Sequence, residues 1–214
     1  MGSQDPNHVF EALVDPEGAY ITPKIQGLTR ITPKRLADSG AQPFREVWVK
    51  LVSWLETILV AARSSGGGGG GGGVVLVAHN ANFDRRFLEH ELARMGLDSS
   101  VLSSAGVSGF VDTLALLRNY AMWRQPREPS CVPARPRSFA LGALFKHLCG
   151  QDMPRAHTAL GDVEGLEFVL SSPGIKERWR RVASSDRACQ TTTAAPVCLE
   201  EEGRAKRARP VGLY

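Results

Sequence analysis

The sequence predicts an α/β fold with helices packed around a largely central sheet, and three observations carry that expectation. The run Val74-Val75-Leu76-Val77-Ala78 is continuously apolar and valine-rich, the pattern of a strand buried on both faces. Residues 109–113 (Gly-Phe-Val-Asp-Thr) form a second short strand pattern. Between and around these runs, apolar residues recur at three- and four-residue steps, so strands alternate with amphipathic helices.

Residues 8–14 (His-Val-Phe-Glu-Ala-Leu-Val) alternate at Phe10, Ala12 and Val14, which predicts a short strand, and Asp15-Pro16-Glu17-Gly18 supplies the turn after it. Thr32-Pro33 is a helix start, a threonine cap followed by proline at the first helical position. A longer helix opens near Pro43 and runs to about Ala62, with Phe44, Val47, Trp48, Leu51, Trp54, Leu55 and Ile58 on one face. Residues 66–73 are all glycine, a flexible insertion between that helix and the valine strand; no Lys-Ser/Thr follows at phosphate-loop spacing. Phe83, Phe87, Leu88, Leu92 and Met95 give the next helix a buried stripe that Gly96 closes. Ser138 is expected to cap a helix carrying Leu141, Leu144, Phe145 and Leu148, ending at Gly150. A last helix is expected over about 158–171. One domain over residues 8–172 follows, with a polar, basic and disordered tail from about Ser184.

Composition narrows the function classes. Of 214 residues, 43% are hydrophobic and 22% charged, the balance of an ordinary globular protein. No apolar run reaches the length of a membrane span. Four widely spaced cysteines (Cys131, Cys149, Cys189, Cys198) argue against zinc ligation or a disulfide framework and suit an intracellular setting. A net charge of +4 permits a polyanionic partner without requiring one.

Two motifs carry the chemistry. The valine strand ends at His79-Asn80-Ala81-Asn82-Phe83-Asp84, at the carboxyl edge where open α/β sheets bind ligands. Asp84 falls in the first turn of the following helix, where the dipole favours an ionised carboxylate, and Phe83 is expected to face the sheet and aim Asp84 outward. In His157-Thr158-Ala159-Leu160-Gly161-Asp162, the histidine precedes a helix and the aspartate lies about one turn inside it. A neutral imidazole can take a proton from water acidified by a metal, and a carboxylate is a hard ligand suited to magnesium or manganese.

His79-Asn80-x-x-Phe83-Asp84 and His157-x-Ala159-x-x-Asp162 resemble the second and third motifs of the DEDDh 3′–5′ exonucleases, the proofreading-subunit-like group of the ribonuclease H-like superfamily. Ile25-Gln26-Gly27-Leu28-Thr29, Val111-Asp112-Thr113-Leu114 and the segment 138–144 are similar to further segments of that family, so the resemblance covers roughly residues 8–172. It implies a ribonuclease H-like exonuclease fold with a central mixed sheet flanked by helices. It also implies two-metal hydrolysis of phosphodiester bonds from a 3′ end of DNA or RNA, with the substrate end single-stranded. On that resemblance Asp162 and Asp84 are metal ligands for two divalent ions, Mg or Mn, and His157 is the general base. His79, Asn80 and Phe83 line the terminal-nucleotide pocket. The family's first motif, Asp-x-Glu-Thr on the first strand, has no counterpart in this sequence; Asp15-Pro16-Glu17 approaches the spacing but sits in a turn. Phe10 to Pro16 resembles the family's third strand and the turn after it, so a form without its N-terminal strands is expected. A catalytically inactive module of the same fold, binding nucleic acid or a protein partner, is the alternative. The Pro/Arg-rich segment 124–137 would track phosphates, and the basic block 204–210 would act as a nuclear-import or nucleic-acid tail.

Overall fold

Two Thr-Pro steps set the first helices. In the computed structural model, which describes residues 9–64, 73–119, 122–123 and 133–183, helix α1 (Pro23–Thr29) starts at Thr22 and helix α2 (Pro33–Asp38) at Thr32. Each threonine hydroxyl accepts a backbone N–H three residues on, from Ile25 at 3.4 Å and Arg35 at 3.1 Å. The α2 start was legible in the sequence. The same signature at Thr22-Pro23 marks α1, which the sequence reading passed over. Strand β1 is shorter than expected, only Val14–Asp15, and pairs in parallel with β2 (Gln42–Pro43). His8, the glycines 66–72, residues 124–132 of the Pro/Arg-rich segment and the tail from Ser184 lie outside the described residues.

Helix α3 (Phe44–Ser64) follows, then β3 (Val74–Ala78), α4 (Ala81–Arg94), the short α5 (Ser100–Ser104) and β4 (Val107–Asp112). Strands β3 and β4 are parallel, with Leu76 opposite Phe110 and Ala78 opposite Asp112. Successive strand residues point to opposite faces. Leu76 and Phe110 enter a core with Trp48 and Leu55 from α3, Leu92 from α4 and Leu102 from α5. Helices α6 (Thr113–Arg118), α7 (Leu141–Cys149), α8 (Ala159–Ser171) and α9 (Ile175–Ala183) build a second core around Leu117, Met122, Trp123, Leu144, Val169 and Ile175. Ile175 is fully buried, so packed structure continues past Ser172.

Three expectations need correction. β3 is not buried on both faces, because Val75 and Val77 remain 46% and 40% exposed. The sheet exists as two parallel pairs, so among the described residues β3 has a neighbour on one edge and helices against one face. Nor does Phe83 face the sheet. It is 48% exposed and stacks on the equally exposed Phe87, with ring centroids 6.5 Å apart. Positions 83 and 87 share one helical stripe, as i,i+4 residues must, but Leu88 and Leu92 are the ones turned to the core. Finally, α7 is capped by Ala140 without a side-chain bond. Ser138 lies two residues earlier and accepts the Ala140 N–H at 3.4 Å instead.

Leu92→Ala should cost about 3 kcal/mol of stability in urea unfolding, as expected for a fully buried leucine, whereas Phe87→Ser should stay within about 0.5 kcal/mol. Equal costs would show that Phe87 is packed in solution.

Candidate active site

The carboxyl ends of β3 and β4 each turn directly into a helix, and a single carboxylate splices the two turns. Asp112 ends β4 and caps α6. Its Oδ1 accepts the Leu114 N–H at 2.9 Å, and the same oxygen accepts the Asn80 N–H at 3.0 Å across the sheet. Asn80 holds a left-handed conformation (φ 69°, ψ 48°) at the start of α4, a backbone state asparagine tolerates better than most residues. Thr113, fully buried, donates to the Ala78 carbonyl at 3.1 Å and lies 3.1 Å from His79 Nδ1. The other ring nitrogen of His79 is 2.8 Å from the Phe139 carbonyl. Both nitrogens of His79 are thus spent inside the protein.

Asp84 sits in the first turn of α4. The residue as a whole is exposed, but its carboxyl is partly desolvated. That desolvation, reinforced by the like charge of Asp112 and opposed by a backbone N–H bond, raises its pKa above the ordinary 3.8. Asn80 and Phe83 are exposed beside it. Asp112 is the residue that sequence reading missed here. Its place at the end of a strand, before a Thr-Leu helix start, was the available signal.

The second motif is built by close approach. Thr158 caps α8, accepting the Gly161 N–H at 3.1 Å and donating to the Arg155 carbonyl at 2.7 Å. Gly161 presses against that carbonyl so closely that no Cβ fits. The loop is thereby folded back onto the helix, His157 takes a left-handed φ of 66°, and its backbone N–H donates to Asp162 Oδ1 at 3.0 Å. His157 is exposed and Asp162 half-buried. The spacing His-x-x-x-Gly-Asp therefore has a mechanical reason: glycine permits the fold-back that ties the aspartate to the histidine's backbone.

Asp84 and Asp162 are hard oxygen donors, and the Asp84–Asp112 repulsion is of the kind a cation relieves. In donor type they fit a divalent ion, yet among the described residues no three His, Cys, Asp or Glu side chains converge to hold one. Glu17 does not fill the gap. It pairs with Arg94 at 3.2 Å, ten residues along α4 from Asp84, or about 15 Å of helix axis. Asp15 accepts the Glu17 N–H at 2.8 Å. A separate cavity of about 450 Å³ between the 15–21 turn and α2 shares none of the candidate residues. Among the described residues no helix is long and apolar enough to cross a membrane.

The α/β core thus carries a histidine–aspartate motif at one helix start and an Asn-x-x-x-Asp motif at another, the arrangement expected from the resemblance to ribonuclease H-like exonucleases. Comparison with known proteins agrees. No protein-family model matches the chain. It is, however, 38% identical over 164 residues to three-prime repair exonuclease 1 of Bos taurus, covering 76% of this chain and 46% of that protein. It is 39% identical over 107 residues to three-prime repair exonuclease 1 of Homo sapiens, covering 49% of this chain and 31% of that protein. The chain is thus a homologue of the DEDDh 3′–5′ exonucleases of ribonuclease H-like fold, a group that depends on divalent metal. It spans less than half the length of these relatives.

Two outcomes test this geometry. Gly161→Ala should destabilise by roughly 2–3 kcal/mol, since the obstructing atom is backbone and cannot swing away; a neutral substitution would show that the fold-back is not fixed. For Asp84, a raised pKa in the folded state means that its ionised form opposes folding. That cost is absent below the unfolded value near 3.8 and is fully present once pH exceeds the folded pKa. Asp84→Asn should therefore raise Tm at pH 7 and leave it unchanged near pH 3. A Tm that falls at pH 7 would contradict the assignment.

Proposed function

We propose that the chain is the catalytic portion of a 3′–5′ exonuclease that hydrolyses phosphodiester bonds at a single-stranded nucleic-acid end with two divalent ions, Mg or Mn. The observation that carries this reading is that the two motifs shared with the DEDDh group are each held at a helix start by hydrogen bonds their own residues make. Asp84 and Asp162 would hold the metal, with the remaining ligands coming from outside these two motifs. When bound, the ions supply positive charge against the phosphoryl oxygens and acidify the attacking water.

The chain's own residues do the rest. His157 is the general base: its exposed ring stands on a loop pinned to Asp162, able to receive a proton from the attacking water. Asn80 and Phe83 line the terminal-nucleotide pocket beside His79, and the exposed Phe83–Phe87 stack offers a wall on which a terminal base can lie. An intracellular location accords with this substrate class. The inactive-module reading draws on one observation, the lack of a three-ligand cluster among the described residues.

The purified chain, incubated with a 5′-labelled single-stranded oligonucleotide and Mg or Mn, should give a ladder shortening from the 3′ end. Asp162→Asn should slow it by about 100-fold or more. Intact oligonucleotide that is nonetheless bound would replace the enzyme reading with the binding module.

A further inference from the structure

Helix α8 carries two glycines about one turn apart, Gly161 and Gly165. Glycine weakens a helix interior, so two of them in 13 residues need a reason, and close approach supplies it. What approaches is the 151–158 loop, which brings His157 to the helix start. Gly161 lies under the Arg155 carbonyl, and Gly165 lies under Met153. A Cβ at position 165 would run into Met153 Sδ and stand 3.1 Å from its Cγ, and the three nearest atoms all belong to that one side chain. Both glycines are buried and Met153 is half-buried, while His157 is exposed. Arg155 adds an ion pair to Glu164, and Lys146 holds Asp152 at 2.8 Å.

The loop does not take this path freely. Arg155 and His157 both hold positive φ, 52° and 66°, a region that residues with a side chain seldom occupy. Such backbone persists only where the surroundings over-determine it. Three kinds of contact act on the loop, and they differ in strength. The ion pairs are weak fasteners, because the Arg155 and Lys146 side chains are more than half exposed and water screens them. The His157 N–H bond to Asp162 closes the turn but is itself open to solvent. Met153 is the remaining fastener, its flexible thioether filling the slot that α8 leaves at Gly165. Plain core packing would place this side chain in one of the two hydrophobic cores, and among the described residues it belongs to neither.

We propose that Met153 is a positioning residue: seated on Gly165, it clamps the 151–158 loop to α8 and so presents the His157 ring to the site before any substrate arrives. This rests on the proposed exonuclease reading, in which His157 is the general base, and assigns what holds that base in place.

The test uses the full chain and two independent readouts. The first is hydrogen exchange of backbone amides, followed by NMR in EDTA. Gly165→Ala should speed exchange at His157 by roughly 10-fold while Leu166 and Val169 keep their protection, because a local opening is not shared with the core. Alanine favours a helix over glycine, so a loosened loop in this variant cannot come from a weakened α8. Met153→Ala should act in the same way, and Met153→Leu, of similar volume, should keep most of the parent's protection. Once Met153 is alanine, Gly165→Ala should have no further effect. Arg155→Ala should change the rate less than about 2-fold. The second readout is cleavage of the labelled oligonucleotide with Mg or Mn, where Met153→Ala should lower kcat roughly 3- to 10-fold and leave KM unchanged. Unchanged His157 exchange in both single variants, additive effects in the double variant, or equal acceleration along all of α8 would overturn the clamp and leave the nuclease reading intact. A loosened loop with an unchanged kcat would overturn the positioning role. A parent chain that cleaves nothing would overturn the nuclease reading, and the exchange rates would still decide the clamp.

Discussion

The arrangement of the candidate site depends on one shared acceptor, Asp112 Oδ1. By taking the Leu114 N–H it caps α6, and by taking the Asn80 N–H it fixes the turn that launches α4. Both turns leave parallel strands in register, Ala78 opposite Asp112, so their helices begin side by side. Thr113 adds a bond to the Ala78 carbonyl and a contact to His79. Backbone donors at a helix start are otherwise unsatisfied; here their satisfaction also sets where Asp84 stands.

That arrangement carries an electrostatic cost. Asp84 is placed where partial desolvation and the charge of Asp112 both oppose its ionisation. A protein selected for stability alone would not gather carboxylates at the ends of its strands, and strain of this kind is a common companion of function. The exposed apolar surface tells a similar story. Val75, Val77, Phe83 and Phe87 lie open on β3 and α4, while the two cores behind them close around Leu92 and Leu144 without those side chains.

Much of the fold is legible in the sequence. The α3 stripe, the valine strand, the Asp112-Thr113 strand-to-helix step, the Gly150 stop and the Thr158 start each rest on local chemistry: periodicity, a cap, a left-handed glycine. Helices α1 and α5 were missed because short helices carry too few periodic positions to register, although Thr22-Pro23 announced the first. Helix α9 was hidden by its charge, since one tryptophan and one isoleucine among lysine and arginine look like solvated chain until Ile175 is seen in the core.

The sequence by itself determined the class of the protein and the identity of its chemical groups. His157, Asp162, Asp84 and Asn80 were singled out by two short motifs and their resemblance to the DEDDh group, and the capping and fold-back of the second motif act over five residues or fewer. Only the tertiary structure decided which groups meet. Asp112 reaches Asn80 across 32 positions, His79 reaches Phe139 across 60, and Glu17 is drawn away to Arg94 across 77. It also decided that Phe83 points to solvent, because burial depends on what packs against a stripe and not on the stripe's own period. Local rules fix what each segment can do, and long-range packing fixes what it faces.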